Sequence, residues 1–241
     1  MKKFRVLVIY DFKKIMIITA VILIIGVFFG VLAKQKTAKE AMAAPLGNKV
    51  ILIDPGHGGI DKGASDNGAA EKDLNLSIAL ILKSYIEENG GICYLTRVVD
   101  TNTADPDRSK NVSQKMSDLK TRKSDIDLYK ADIFISIHMN KFGESKYKGL
   151  QVFYDGASNE SKKLADAIQQ SAKALLDPEN NRKAKATGDK IYVLKGNNVP
   201  SVLVECGFLS NKEEAEKLKT PQYQRKVAWG IYMGIMDYFS R

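Results

Sequence analysis

Three short stretches of this chain are apolar almost without interruption: residues 49–53 (KVILI), 132–137 (DIFISI) and 201–205 (SVLVE). A strand that lacks polar alternation is covered on both faces, which happens where helices sandwich a sheet. The segments between them supply those helices. Residues 71–89 place Leu74, Ile78, Ile81, Leu82 and Tyr85 at helical spacing and stop at Asn89-Gly90-Gly91. Residues 117–129 read as a second helix. Residues 158–176 form a third, with Leu164, Ile168, Ala172 and Leu175 on one face. Thr220-Pro221 opens a last helix running to about Tyr238, as an N-cap with proline at the first helical position does. Further strands are expected at 92–96, 150–154 and 191–194, with polar loops at 99–116 and 177–190. Strands alternating with helices predict an α/β fold: one domain with a mainly parallel twisted sheet of about six strands and helices on both faces.

The 241 residues carry a net charge of +9, which raises the question of an anionic partner. Eight basic and two acidic residues precede residue 44, so +6 of the excess lies there and only +3 on the remainder. That remainder has no nucleic-acid recognition motif and no basic helix face, so a nucleic-acid partner is not expected. Residues 15–33 (IMIITAVILIIGVFFGVLA) are uncharged and follow five basic residues. A positive flank before an apolar run describes a Sec signal peptide or a single membrane-spanning anchor. The length of the run favours an anchor, and Ala41-Met42-Ala43 offers a signal cleavage site; both readings stand. Either way the segment 1–43 directs 44–241 across the cytoplasmic membrane. Cys93 and Cys206 both sit in apolar strand-like segments and read as buried free thiols. Arg182-Lys183-Ala184-Lys185 reads as a solvated loop, and Arg122 and Lys123 as an exposed helix face, with Arg122 able to reach the site edge.

In open α/β sheets, ligands bind beyond the carboxyl ends of the strands. Here those ends deliver Asp54-Pro55-Gly56-His57-Gly58-Gly59, Ser136-Ile137-His138-Met139-Asn140 and Glu205-Cys206-Gly207. Both histidines of the protein thus emerge at one edge. Two histidines and a carboxylate make a common zinc set with an open position. Glu71, at a helix N-terminus beyond a glycine-rich turn, can fold back beside His57, and the helix dipole keeps it ionised. Glu205 lies between apolar neighbours with nothing basic adjacent in sequence, and burying an unpaired carboxylate is costly.

Four blocks carry a resemblance: Asp54 to Ala64 (DPGHGGIDKGA), Glu71 to Leu76 (EKDLNL), Ser136 to Asn140 (SIHMN) and Val204 to Asn211 (VECGFLSN). In this order they resemble the zinc-dependent N-acetylmuramoyl-L-alanine amidases of the type-3 amidase family, over essentially all of residues 48–240. The resemblance implies one zinc ion on His57, Glu71 and His138, with Glu205 as the catalytic carboxylate. Cys206 departs from the small or aliphatic residue expected there. The stand-alone architecture with an N-terminal apolar segment looks like the germination-specific amidases acting on spore cortex, a step toward muramic-δ-lactam. The expected substrate is therefore peptidoglycan, at the amide between the lactyl group of muramic acid and L-alanine. Asp54 and Asn140 are expected to orient the ligands. The loop 99–116 is expected to shape substrate choice or to dock an activator protein. Two other readings compete: a peptidoglycan-binding or regulatory module without catalysis, and a different exported zinc peptidase, although no His-Glu-x-x-His is present.

Overall fold

The computed structural model describes residues 12–43 and 46–241, with side chains for 16–31 and 46–241. The chain divides into two units at Ala44/Pro45. The first contains α1 (Phe12–Ala43), whose apolar side chains from Met16 to Val31 are exposed. Among the described residues no helix is long and apolar enough to cross a membrane. The basic residues Lys2, Lys3 and Arg5 lie outside the described residues.

The second unit is built on β1 (Val50–Pro55), which pairs in parallel with β4 (Ile92–Leu95) on one side and β5 (Ile133–Asn140) on the other. β8 (Ser201–Phe208) adds to β5 in parallel. β6 (Gln151–Tyr154) runs antiparallel to β8, and β7 (Lys185–Ala186) ends the sheet parallel to β6. The order is β4-β1-β5-β8-β6-β7, so the sheet is mostly parallel, as expected. A separate small hairpin, β2 (Ser65–Asp66) with β3 (Ala69–Ala70), lies within the glycine-rich turn.

Alternation along each strand splits the core in two. Ile51, Ile53, Ile133, Ile135 and Ile137 face one layer. There they meet α2 (Glu71–Glu88), α4 (Asn159–Leu176) and α6 (Pro221–Ser240). Leu52, Phe134 and Leu203 face the other, where α3 (Gln114–Leu128) contributes Ile126. The helix starts are fixed by side-chain caps: Ser158 accepts from the Ser161 N–H, and Thr220 from Tyr223 with Pro221 in the first turn. The short α5 (Lys212–Leu218) is capped by Asn211.

Four local expectations are corrected. Residues 191–194 form no strand: a turn covers 192–196, following a 3-10 turn at Gly188–Lys190. Their apolar character serves burial under α3's core layer, through Val193 and Leu194, and not strand pairing. The sixth strand is instead β7, inside the stretch expected to be loop. The helix expected from 117, α3, begins earlier, at Gln114, because Ser113 caps it by accepting from the Met116 N–H. Arg122 is not on an exposed face: it is 1% exposed and among the largest fully buried side chains.

Candidate active site

β1 ends at Pro55, and the chain then takes a tight left-handed path. His57 has φ 62°, followed by Gly58 at 134° and Gly59 at 60°. A non-glycine residue held there costs on the order of 1–3 kcal/mol and persists only where the surroundings enforce it. Two glycines make the approach possible. A Cβ on Gly56 would lie 2.2 Å from Nε2 of His138, and one on Gly63 (φ 64°) would lie 2.4 Å from Oε2 of Glu71. The glycine-rich turn brings Glu71, the first residue of α2, back onto His57.

The result is a three-residue cluster. Nε2 of His57 lies 3.2 Å from Oε2 of Glu71, and Nδ1 of His138 lies 2.8 Å from Oε1. One ligand atom from each residue fits within 4.8 Å of the others, and among the described residues this is the cluster able to hold a metal ion. The imidazole rings are 5.0 Å apart and inclined at 75°. Both Glu71 oxygens also accept backbone N–H groups, from Ala64 at 2.7 Å and Met139 at 3.1 Å. Burial alone raises the Glu71 pKa, but hydrogen bonds and charge from the two histidines outweigh it and hold the carboxyl far below its ordinary range. Burial lowers the His57 pKa, but Glu71 and then Asp61 more than compensate, and it ends above its ordinary value.

Glu205 stands opposite His138 in the β5–β8 register, so the two side chains leave the same face of the sheet. Its Oε2 is buried and, among the described residues, has no hydrogen-bond partner. Burial pushes its pKa up to about 7; His138 pulls it down and Glu71 pushes it further up. All four expected site residues are therefore at one end of the sheet.

Asp61 was not singled out from the sequence. Its Oδ2 lies 3.0 Å from Nδ1 of His57, at i,i+4 spacing, a contact that fixes which nitrogen faces Glu71. The expected orienting role of Asp54 takes a different form. Its carboxylate accepts from Thr96 (2.7 Å), Ser136 (2.7 Å) and Arg122 (2.6 Å), and not from a histidine. The Asn140 carbonyl accepts from the Leu209 N–H at 2.8 Å, and among the described residues no bond joins its side chain to the cluster. A cavity of about 50 Å³ beside His57 and His138 shares Asp61, Lys115 and Asp118 with a larger one of about 380 Å³. Asn102, Gln114 and Lys115, from or beside the long polar loop, line the larger cavity.

An α/β sheet with a His-Glu-His cluster and a buried carboxylate at its strand ends has the makings of a hydrolase. The chain belongs to the N-acetylmuramoyl-L-alanine amidase family, whose model matches residues 51–237. It is 41% identical over 197 residues to the germination-specific N-acetylmuramoyl-L-alanine amidase of Bacillus subtilis (strain 168), spanning 81% of this chain and 82% of that protein. The CwlD amidase of Clostridioides difficile, solved in complex with the GerS lipoprotein, superposes with a TM-score of 0.76 at 45% identity, over 80% of this chain and 99% of that one. An N-acetylmuramoyl-L-alanine amidase of Clostridium difficile 630 gives 0.69 at 30% identity, over 80% and 97%. The protein is accordingly a peptidoglycan amidase, cleaving the bond between N-acetylmuramic acid and L-alanine.

Proposed function

We propose that this amidase works with one zinc ion held by His57, Glu71 and His138, and that Glu205 is its general base and acid. The observation that carries the reading is the buried Oε2 of Glu205, without a partner among the described residues, on the strand beside the one that carries His138 of the His-Glu-His cluster. A buried carboxylate without a partner is expensive, and a cation with its water beside it removes that cost. Two imidazoles and a carboxylate also match the donor set of catalytic zinc sites, leaving one position open. Bound there, zinc would supply Lewis acidity to the scissile carbonyl and lower the pKa of water toward neutrality.

The protein's own residues do the rest. Asp61 and the Ala64 and Met139 N–H groups hold His57 and Glu71 in place. Glu205 accepts a proton from the attacking water as its oxygen bonds to the lactyl carbonyl carbon. When the carbon–nitrogen bond breaks, Glu205 returns that proton to the amine of L-alanine, which leaves neutral. The cavity lined by Ile60, Asn102, Gln114 and Lys115 accommodates substrate beside the cluster.

The substrate is spore cortex peptidoglycan, acted on in sporulation or germination and leading to muramic-δ-lactam; the support is the likeness to the germination-specific relative. Residues 1–43 export the domain as a signal peptide or anchor it through 15–33, and it acts outside the cytoplasmic membrane. The CwlD amidase was solved with a lipoprotein, and a lipoprotein of that kind is the activator we assign to this chain. Digested peptidoglycan tests the activity. New L-alanine amino termini are expected; new D-alanine or diamino-acid termini mean a peptidase, and no change means a binding module. In parallel, His57→Ala and His138→Ala should lose zinc by elemental analysis.

A further inference from the structure

We propose that Arg122 is a positioning residue for His57, clamping the backbone of the histidine's loop so that its ring stays on the metal site. This rests on the metal site proposed above. The basis is the hydrogen bonding of residues 55–59, in which every carbonyl has a donor. Pro55 O accepts from Nε of Arg97 (2.9 Å) and Nη1 of Arg122 (2.8 Å). Gly56 O accepts from Nη2 of Arg97 and Nδ2 of Asn75, both at 3.1 Å. His57 O accepts from Nη2 of Arg122 at 2.7 Å. Gly58 O accepts from the Asp61 N–H (3.2 Å) and Gly59 O from Nζ of Lys72 (2.9 Å).

Arg122 holds a special place among these donors. Among the described residues it is the one that bonds the carbonyl of His57, the non-glycine member of the left-handed stretch, where an L-residue stays only under compulsion. The guanidinium is itself pinned from two further sides. Its Nε donates to Oδ2 of Asp118 at 2.7 Å and its Nη1 to Oδ1 of Asp54 at 2.6 Å. Asp118 is fixed in turn by the N–H and hydroxyl of Thr103, at 2.6 and 2.9 Å. A planar fork is needed to meet Asp54, Asp118 and the His57 carbonyl together. Lysine, a single point charge, keeps the attraction to Asp54 and cannot span the three.

The test is zinc affinity, by chelator competition on the full-length protein, with zinc alone as probe. Arg122→Lys should fold and bind zinc about 10- to 100-fold more weakly, the loss typical of residues that orient metal ligands. The visible spectrum of the cobalt(II)-loaded protein should change with it, because it reports ligand geometry. Ile231→Ala, a core truncation in α6, should lower the melting temperature and leave zinc affinity and the cobalt spectrum unchanged. Asp118→Asn, which frees the fork and keeps its pair with Asp54, should lose affinity in the same direction by less. The assignment is overturned if folded Arg122→Lys binds zinc as the wild type does, or if Ile231→Ala loses affinity equally. Should Arg122→Lys fail to fold, undiminished affinity in Asp118→Asn overturns it. A wild-type protein that takes up no zinc refutes the metal site itself, and that result is separable because it needs no variant.

Discussion

Replacing Glu205 with glutamine should leave the enzyme severely slowed and the metal-free protein more stable. The Glu205 carboxyl titrates at about 7 in the folded protein instead of its ordinary 4.5, chiefly because it is buried. A raised pKa means that the folded state holds the proton more tightly than the unfolded chain. Its stabilising effect is complete below about pH 4.5. Between 4.5 and 7 the unfolded chain gives up its proton first, and stability falls as pH rises. At about 1.4 kcal/mol per pH unit, this window costs the metal-free protein about 3 kcal/mol. Glutamine does not titrate and escapes the cost. At pH 8 the metal-free Glu205→Gln protein should therefore melt roughly 6–12 °C above wild type, given the usual ~2–4 °C per kcal/mol for a domain of this size. At pH 4 the advantage should vanish. Thermal or urea unfolding after removal of metal by chelation measures both. The variant should retain zinc and lose about 10²–10⁴ in turnover. An equal stability difference at pH 4 and pH 8 would refute the burial argument, and near-normal turnover would refute the catalytic one.

Gly63→Ala should keep the fold and disable the site, because a Cβ there meets both Glu71 Oε2 (2.4 Å) and His57 Cδ2 (2.6 Å); circular dichroism and zinc content separate the two effects. Burial raises the Asp54 pKa, but Arg122, then Ser136 and Thr96, hold it below its ordinary 3.8. The stability this carboxylate contributes is thus present above about pH 4 and lost as pH falls further. Asp54→Asn should cost roughly 3–5 kcal/mol at pH 7, as breaking a buried pair does, and the gap to wild type should narrow below pH 4 in urea titrations. Both thiols are buried, with burial pushing Cys93 up to about 12 and Cys206 well above the ordinary thiol range. Neither should react with a disulfide reagent at pH 8 until the protein is unfolded, when both should; a fast-reacting native thiol contradicts this.

The residues that the sequence disclosed and those it concealed differ in the range of the interactions that place them. His57, His138 and Glu205 follow or end apolar strand runs, and a strand's direction and end are local properties. Glu71 could be placed because a helix start is local too. Arg122 was misread because its burial depends on Asp54 and the His57 carbonyl, more than sixty residues earlier in the chain. Its own helix carries few apolar side chains to signal a buried face. Residues 191–194 look like a strand because buried turns and buried strands share apolar composition. β7, two exposed residues at the sheet edge, has no hydrophobic pattern and is defined by its pairing with Phe153 and Tyr154 alone.

The place of β8 has a consequence for incomplete chains. It comes last of the strands in sequence yet lies inside the sheet, between β5 and β6. A copy truncated before residue 201 would keep both neighbours and leave each with an open, pair-hungry edge. The same strand carries Glu205. Loss of the residues from 201 onward therefore removes the middle of the sheet and the reactive carboxylate in one stroke, so a half-made or clipped molecule has neither a finished scaffold nor the means to cut a cell wall.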